Sequence, residues 1–95
     1  MEDGKNKMEK TRRLIGDNIR KLETAKGKVI DDNTNLLEEG ILDSISMMSI
    51  IEFLEELAQV EIYDDDFNIE NFESINSIVL FVEKKRSEKN RDFVG

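Results

Sequence analysis

At 95 residues, with no cysteine and no histidine, the chain has room for one hydrophobic core and lacks the side chains for several chemistries. Disulfide scaffolds, thiolate or imidazole zinc sites, Cys nucleophiles and His general bases are all excluded. Hydrophobic and charged residues each make up 38% of the sequence and proline is absent, which fits amphipathic helices around a narrow core rather than a sandwich or barrel. The net charge of −8 is segregated. Nine of the 14 Lys and Arg lie at positions 5–28 and five at 84–91, whereas Val29 to Glu83 holds 15 Asp and Glu and no base. That acidic middle disfavours nucleic acid and anionic membranes as partners and suits proteins with Lys/Arg patches.

The N-terminal stretch MEDGKNKMEK is polar, without the apolar run of a secretory signal, and no segment is long and apolar enough for a bilayer. A soluble cytoplasmic protein is expected, with flexible tails at 1–7 and 88–95 flanking one domain at 8–87. A first helix is predicted from Met8 to about Leu22, where positions 8, 11, 15, 19 and 22 form an inner stripe under a basic outer face. From Ala25 to Asp43 the periodicity is lost. Gly27, the Asp31–Asn35 cluster and Gly40 punctuate a long loop, with Leu36, Leu37, Ile41 and Leu42 apolar enough to enter the core. Loops this long inside a small domain usually serve a function.

Ser44 begins the strongest helical pattern, with Met47, Ile50, Ile51, Leu54, Leu57 and Ala58 on an inner face and Glu52, Glu55 and Glu56 outside it. The Asp64–Asp66 run ends that region, and Asn68 to Phe72 has the length of one short helical turn. Ser74 is a candidate N-cap for a last helix whose inner stripe is Ile75, Ile78, Val79 and Val82, with Lys84, Lys85 and Arg86 placed to complement the dipole at its end. The expected fold is all-α: three substantial helices and one short one in an antiparallel bundle, with the long loop between the first and second crossing one end.

The run Leu37-Glu38-Glu39-Gly40-Ile41-Leu42-Asp43-Ser44-Ile45 resembles the phosphopantetheine attachment site of the acyl carrier protein family, in its pattern apolar-x-x-Gly-apolar-x-Asp-Ser-Leu/Ile. Asn68 to Ile75 is similar to the short third helix and start of the fourth in carriers of assembly-line pathways, and the likeness spans roughly residues 8–87. It implies a four-helix carrier fold and a free-standing, non-catalytic carrier. Ser44 would bear a covalent 4'-phosphopantetheine arm from coenzyme A, with Asp43 beside it, and intermediates would ride on the arm as thioesters. The same resemblance implies a partner face of Ile45, Met48, Glu52, Glu55 and Glu56. Its partners would be a phosphopantetheinyl transferase, an acyl- or aminoacyl-loading ligase or adenylation enzyme, and downstream synthases and transferases, all meeting a monomeric carrier. Ser46 and Ser49 stand where fatty-acid carriers place acidic residues. This favours an aminoacyl, peptidyl or polyketide pathway, and Ile41-Leu42-Asp43-Ser44 also resembles the D-alanyl carriers of cell-wall modification.

Physical reasoning supports a phosphate ester at this position independently. A serine in the first turn of a helix lies beside backbone N–H groups that lack helical acceptors, at the positive end of the dipole. Asp43 is suited to cap the helix, and Gly40 to let the chain turn without a Cβ clash. Ile45 and Met48 fall outside the inner stripe, as apolar anchors in a carboxylate-rich docking face would. The competing readings are weaker. A serine at a helix start is most often only a cap, and isolated exposed apolar residues are common. Loops beginning at Asp31 or Asp64 fail the calcium-binding pattern, since Leu36 or Ile69 holds the required glycine position and Leu42 or Ile75 the terminal acid, leaving solvated loops. The rival from another class is an acidic helical adaptor that binds a basic protein and carries no prosthetic group.

Overall fold

The computed structural model describes the backbone from Glu2 to Val94 and side chains from Lys7 to Lys89. Three α-helices account for most of it: α1 (Glu2–Arg20), α2 (Ser44–Ala58) and α3 (Ile75–Val94). Short 3-10 turns at Glu23–Ala25, Asp64–Asp66 and Ile69–Phe72 punctuate the connections, and no strand occurs among the described residues. The proposed tails at 1–7 and 88–95 lie in large part outside the described side chains. No helix among the described residues is long and apolar enough to cross a membrane.

Much of each predicted stripe forms the core, with Met8, Leu22, Met47, Ile51 and Leu57 only partly buried against it. Thr11, Ile15 and Ile19 of α1, Ile50, Leu54 and Ala58 of α2, and Ile75, Ile78, Val79 and Val82 of α3 are buried together. Leu36, Ile41 and Leu42 enter from the long loop, whereas Leu37 is only partly covered. Each large aliphatic side chain so buried contributes about 1.5–3 kcal/mol, so the loop's three are comparable in weight to a helix face. The short element anticipated at Asn68–Phe72 is a single 3-10 turn whose Phe72 is buried. Its ring lies 5.4 Å from that of Phe81 and 6.4 Å from that of Phe67, spacings at which tilted or offset aromatic pairs are favourable.

The helices do not simply alternate in direction. Ile75, at the start of α3, lies against Gly16 of α1, while Arg86, further along α3, reaches back to Thr11, so these two helices oppose each other. α2 and α3 instead run the same way. Arg86 and Lys89 donate to the carbonyls of Leu57 and Gln59 at the end of α2, and the start of α3 lies against the loop that leads into α2. The connection from α2 to α3 must therefore travel back along the bundle, which explains why residues 59–74 form a string of short turns rather than a tight hairpin.

Lys84, Lys85 and Arg86 do not sit at a helix end, because α3 continues to Val94. Two of them act as ties instead. The Lys85 ammonium meets the Asp66 carboxylate at 2.9 Å and lies 5.0 Å above the centre of the Tyr63 ring. Asp66 is thus not the solvated loop carboxylate expected from its sequence run. Arg86 donates to Glu83 at 2.8 Å, to the buried Thr11 hydroxyl at 3.1 Å and to the Leu57 carbonyl at 3.4 Å, joining all three helices at one point. Losing a charged donor of this kind costs about 1.5–3 kcal/mol. Arg86→Ala should lower the urea midpoint by that amount of stability at unchanged slope; a midpoint equal to wild type would show that the tie adds nothing.

Candidate functional site

The long loop reaches α2 through a series of local constraints. Asn35 Oδ1 accepts from the Leu37 and Glu38 N–H groups at 3.1 and 2.9 Å, a short polar side chain standing in for a backbone acceptor. The Leu36 carbonyl then accepts from both Ile41 N–H at 2.9 Å and Leu42 N–H at 3.1 Å, folding the chain back on itself. Gly40 makes this reversal with φ of +73°. A Cβ at that position would meet nothing within 4 Å, so the need for glycine there is conformational and not one of crowding.

At the start of α2, Asp43 is the N-cap and Ser44 the first helical residue. Asp43 Oδ1 accepts from Ser46 N–H at 2.9 Å while Ser46 Oγ accepts from Asp43 N–H at 2.8 Å, a reciprocal capping box that satisfies two orphan donors. The single Ser46 hydroxyl proton faces both the Ile41 carbonyl at 2.9 Å and Asp43 Oδ1 at 2.8 Å. Ser46 is only 7% exposed. It therefore faces inward as the third residue of the cap and forms no part of the surface around Ser44. The spacing Asp43-x-x-Ser46 carries this in the sequence, although a serine in place of the usual Glu or Gln makes it easy to overlook.

Ser44 is exposed, and its hydroxyl takes part in none of the side-chain hydrogen bonds that hold its neighbours. The cap thus fixes the backbone on either side of Ser44 and leaves its oxygen free at the positive end of a 15-residue helix. A phosphodiester there has nearby N–H groups, open solvent and no buried volume to displace, so the residues present fit a phosphate-linked arm.

The other predicted residues sort by helical position. Ile45, Met48, Glu52 and Glu56 follow one exposed stripe of α2 starting beside Ser44, with Ile45 82% and Met48 67% exposed. Ser49 is exposed on the same side. Glu55 lies at the margin, partly covered. Its carboxylate accepts from the Ile62 N–H at 2.9 Å and lines an open cleft with Gln59, Tyr63, Asp66, Lys85 and Lys89, toward the opposite end of α2 from Ser44.

These features define a helical domain that presents one unengaged hydroxyl at a helix N-terminus. The chain belongs to the family described as the phosphopantetheine attachment site, whose profile matches residues 13–82. It is accordingly a carrier domain of the acyl carrier protein type, a site of covalent 4'-phosphopantetheine attachment. Carrier domains generally meet phosphopantetheinyl transferases and synthetic enzymes and are generally non-catalytic. A comparison with curated proteins gave no match.

The hydrogen bond from Ser46 N–H, then that from its hydroxyl, holds the Asp43 carboxyl below its ordinary value of 3.8. For Asp66, burial pushes upward, but the Tyr63 N–H and the Lys85 ammonium outweigh it and the net direction is also down. Both groups bind their proton less readily folded than unfolded, so their contribution is complete above 3.8 and is lost as pH falls through the lower folded-state values. In a melting-temperature profile, Asp43→Asn, which retains a capping oxygen, should flatten the acid limb below 3.8. Parallel profiles for the two proteins would contradict this. Ser46→Ala, which leaves the Asp43 N–H without its acceptor and the buried Ile41 carbonyl with the Thr24 hydroxyl alone, should cost about 0.5–1.5 kcal/mol in chemical denaturation.

Proposed function

We propose that Ser44 is the residue that bears the 4'-phosphopantetheine arm, and that the protein carries acyl or aminoacyl intermediates on it as thioesters through a biosynthetic pathway of the aminoacyl, peptidyl or polyketide kind. The supporting observation is the contrast between two serines of one helical turn: Ser46 is buried and fully engaged, and Ser44 is exposed and unengaged. The arm supplies a terminal thiol, the nucleophile that a cysteine-free chain lacks. The chain itself supplies placement. Asp43, the adjacent carboxylate, accepts the Ser46 hydrogen bonds and is held at low proton affinity, a poor general base. On this reading the group that removes the Ser44 proton during attachment belongs to the transferase.

Ile45 and Met48 are read as the apolar anchors of a partner face, with Glu52 and Glu56 guiding encounter and Glu55 contributing from the margin. Loading enzymes and downstream synthases would share this face in turn, each leaving after its step, with residues 8–87 acting as one monomeric unit in the cytoplasm. Ser49, the exposed serine of the pair noted in the sequence, is the remaining support for a pathway other than fatty-acid synthesis, because Ser46 points inward.

Incubation with a broad-specificity phosphopantetheinyl transferase and coenzyme A should add the mass of one arm to the wild-type chain and nothing to Ser44→Ala. A folded wild type that gains no mass would favour an acidic adaptor without a prosthetic group. Charge reversal at Glu52 and Glu56 should slow attachment and weaken its salt dependence while circular dichroism stays unchanged; attachment at the wild-type rate would remove those carboxylates from the partner face.

A further inference from the structure

Asn76, in the first turn of α3, makes an unusual number of contacts for a surface amide. Its Oδ1 accepts from Arg12 Nε of α1 at 3.1 Å, and its Nδ2 donates to Asn33 Oδ1 of the long loop at 2.8 Å. Its backbone N–H donates to the Asp32 carbonyl at 3.0 Å, and Arg12 also lies 3.8 Å from the Asp32 carboxylate. Three separate chain segments therefore meet at one side chain. Just before it, the Glu73 carbonyl accepts from Leu36 N–H at 2.8 Å.

The bonds of Asn76 end at Arg12, Asp32 and Asn33, and the bond of the neighbouring Glu73 carbonyl continues toward Ser44. Leu36, held by Glu73 through its N–H, uses its carbonyl to hold Ile41 and Leu42. The Ile41 carbonyl accepts from the Ser46 hydroxyl at 2.9 Å and from the Thr24 hydroxyl. Ser46 is the partner of Asp43 in the box that frames Ser44. The series from Glu73, two residues before α3, through the loop to the α2 cap has no break, and its middle members Leu36 and Ile41 are fully buried, so no water substitutes for a lost link.

We propose that Asn76 is a positioning residue for Ser44: by locking the 32–36 stretch against α1 and α3, it sets the register in which Leu36 and Ile41 hold the α2 cap, and so where the serine hydroxyl stands. This rests on the reading of Ser44 as the attachment residue. Misplacement of a reacting oxygen by a fraction of an ångström is enough to slow a transferase that must align it with its own groups. The effect is on the rate of attachment more than on the affinity of the partner face, of which Met48, Glu52 and Glu56 lie further along α2.

The test uses Asn76→Ala in the full chain. Amide hydrogen exchange at Leu36, Ile41 and Ser46 should accelerate at least about tenfold relative to Leu54 in the middle of α2. The transferase kcat should fall about tenfold with KM little changed. Asn76→Asp should restore both, because its carboxylate keeps the Arg12 bond and a flipped Asn33 amide can donate to it. Should Asn76→Ala fail to fold, Asn33→Ala on the exposed loop removes one link and should show the same pattern in smaller measure. Uniform acceleration that includes Leu54, or no change at Ile41 and Ser46, would overturn the proposal. A wild type that takes no arm would instead overturn the role of Ser44, and with it the functional half of this proposal, while the exchange pattern still decides whether Asn76 controls the cap.

Discussion

The backbone of Leu36 is the constraint on which the arrangement turns. Its N–H is fixed by Glu73 and its carbonyl by Ile41 and Leu42, with the side chain sealed in the core between them. A 23-residue connection from Lys21 to Asp43 would ordinarily be slack, and ordering it carries an entropy cost of about 1–2 kcal/mol per residue. The offset comes from Leu36, Ile41 and Leu42, which bury apolar surface at about 25 cal/mol per Å², and from turns closed by Asp31, Thr34 and Asn35. What results is a loop with a helix-like share of the core. α2 consequently begins at a defined point and not wherever its pattern happens to nucleate.

Charge is divided along similar lines. Two of the three cations that the sequence groups in α3 are drawn into the structure, Lys85 to Asp66 and Arg86 to Glu83, Thr11 and the end of α2, while Lys84 is exposed. Arg12 is likewise held by Glu9, Asp32 and Asn76. The carboxylates of the outer α2 stripe, Glu52 and Glu56, enter no ion pair among the described residues. Basic groups that are tied down contribute to the fold, and acidic groups left free contribute a field. Within the acidic block, Asp66 and Glu83 are also tied into the fold, so the free field comes from the outer stripe of α2 in particular.

Much of this was legible beforehand because it depends on short-range pattern. The stripes of α1, α2 and α3 follow helical spacing, Ser74 Oγ accepts from the Ser77 N–H at 3.1 Å as a cap should, and the Gly40-to-Ile45 run marks the start of α2. Features that depend on where distant segments meet were not legible. Arg86 reads as a helix-end cation until Thr11 and Leu57 are brought beside it, and Asp66 reads as solvated until Lys85 covers it. Ser46 misleads for a different reason: its inward orientation follows from the cap, but a serine at this position invites comparison with surface carboxylates. The parallel course of α2 and α3 leaves no local trace, since it requires residues 59–74 to carry the chain back along the bundle.

A carrier must satisfy two opposed demands, a reactive group in a defined place and contacts weak enough to leave. The first is met by rigidity confined to the α2 cap, where Asp43 and Ser46 occupy each other's hydrogen-bonding groups and leave Ser44 alone. The second follows from magnitude. Burying two side chains the size of Ile45 and Met48 yields about 1.5–3 kcal/mol each, while association costs an estimated 4–15 kcal/mol before any contact is made. Exposed carboxylates add about 0–1 kcal/mol apiece and act mainly on the encounter rate. If this stripe is the partner face, as proposed, its composition favours complexes that form and release quickly, and the residence time of a partner is governed by what it grips beyond the stripe, above all by any group carried on Ser44.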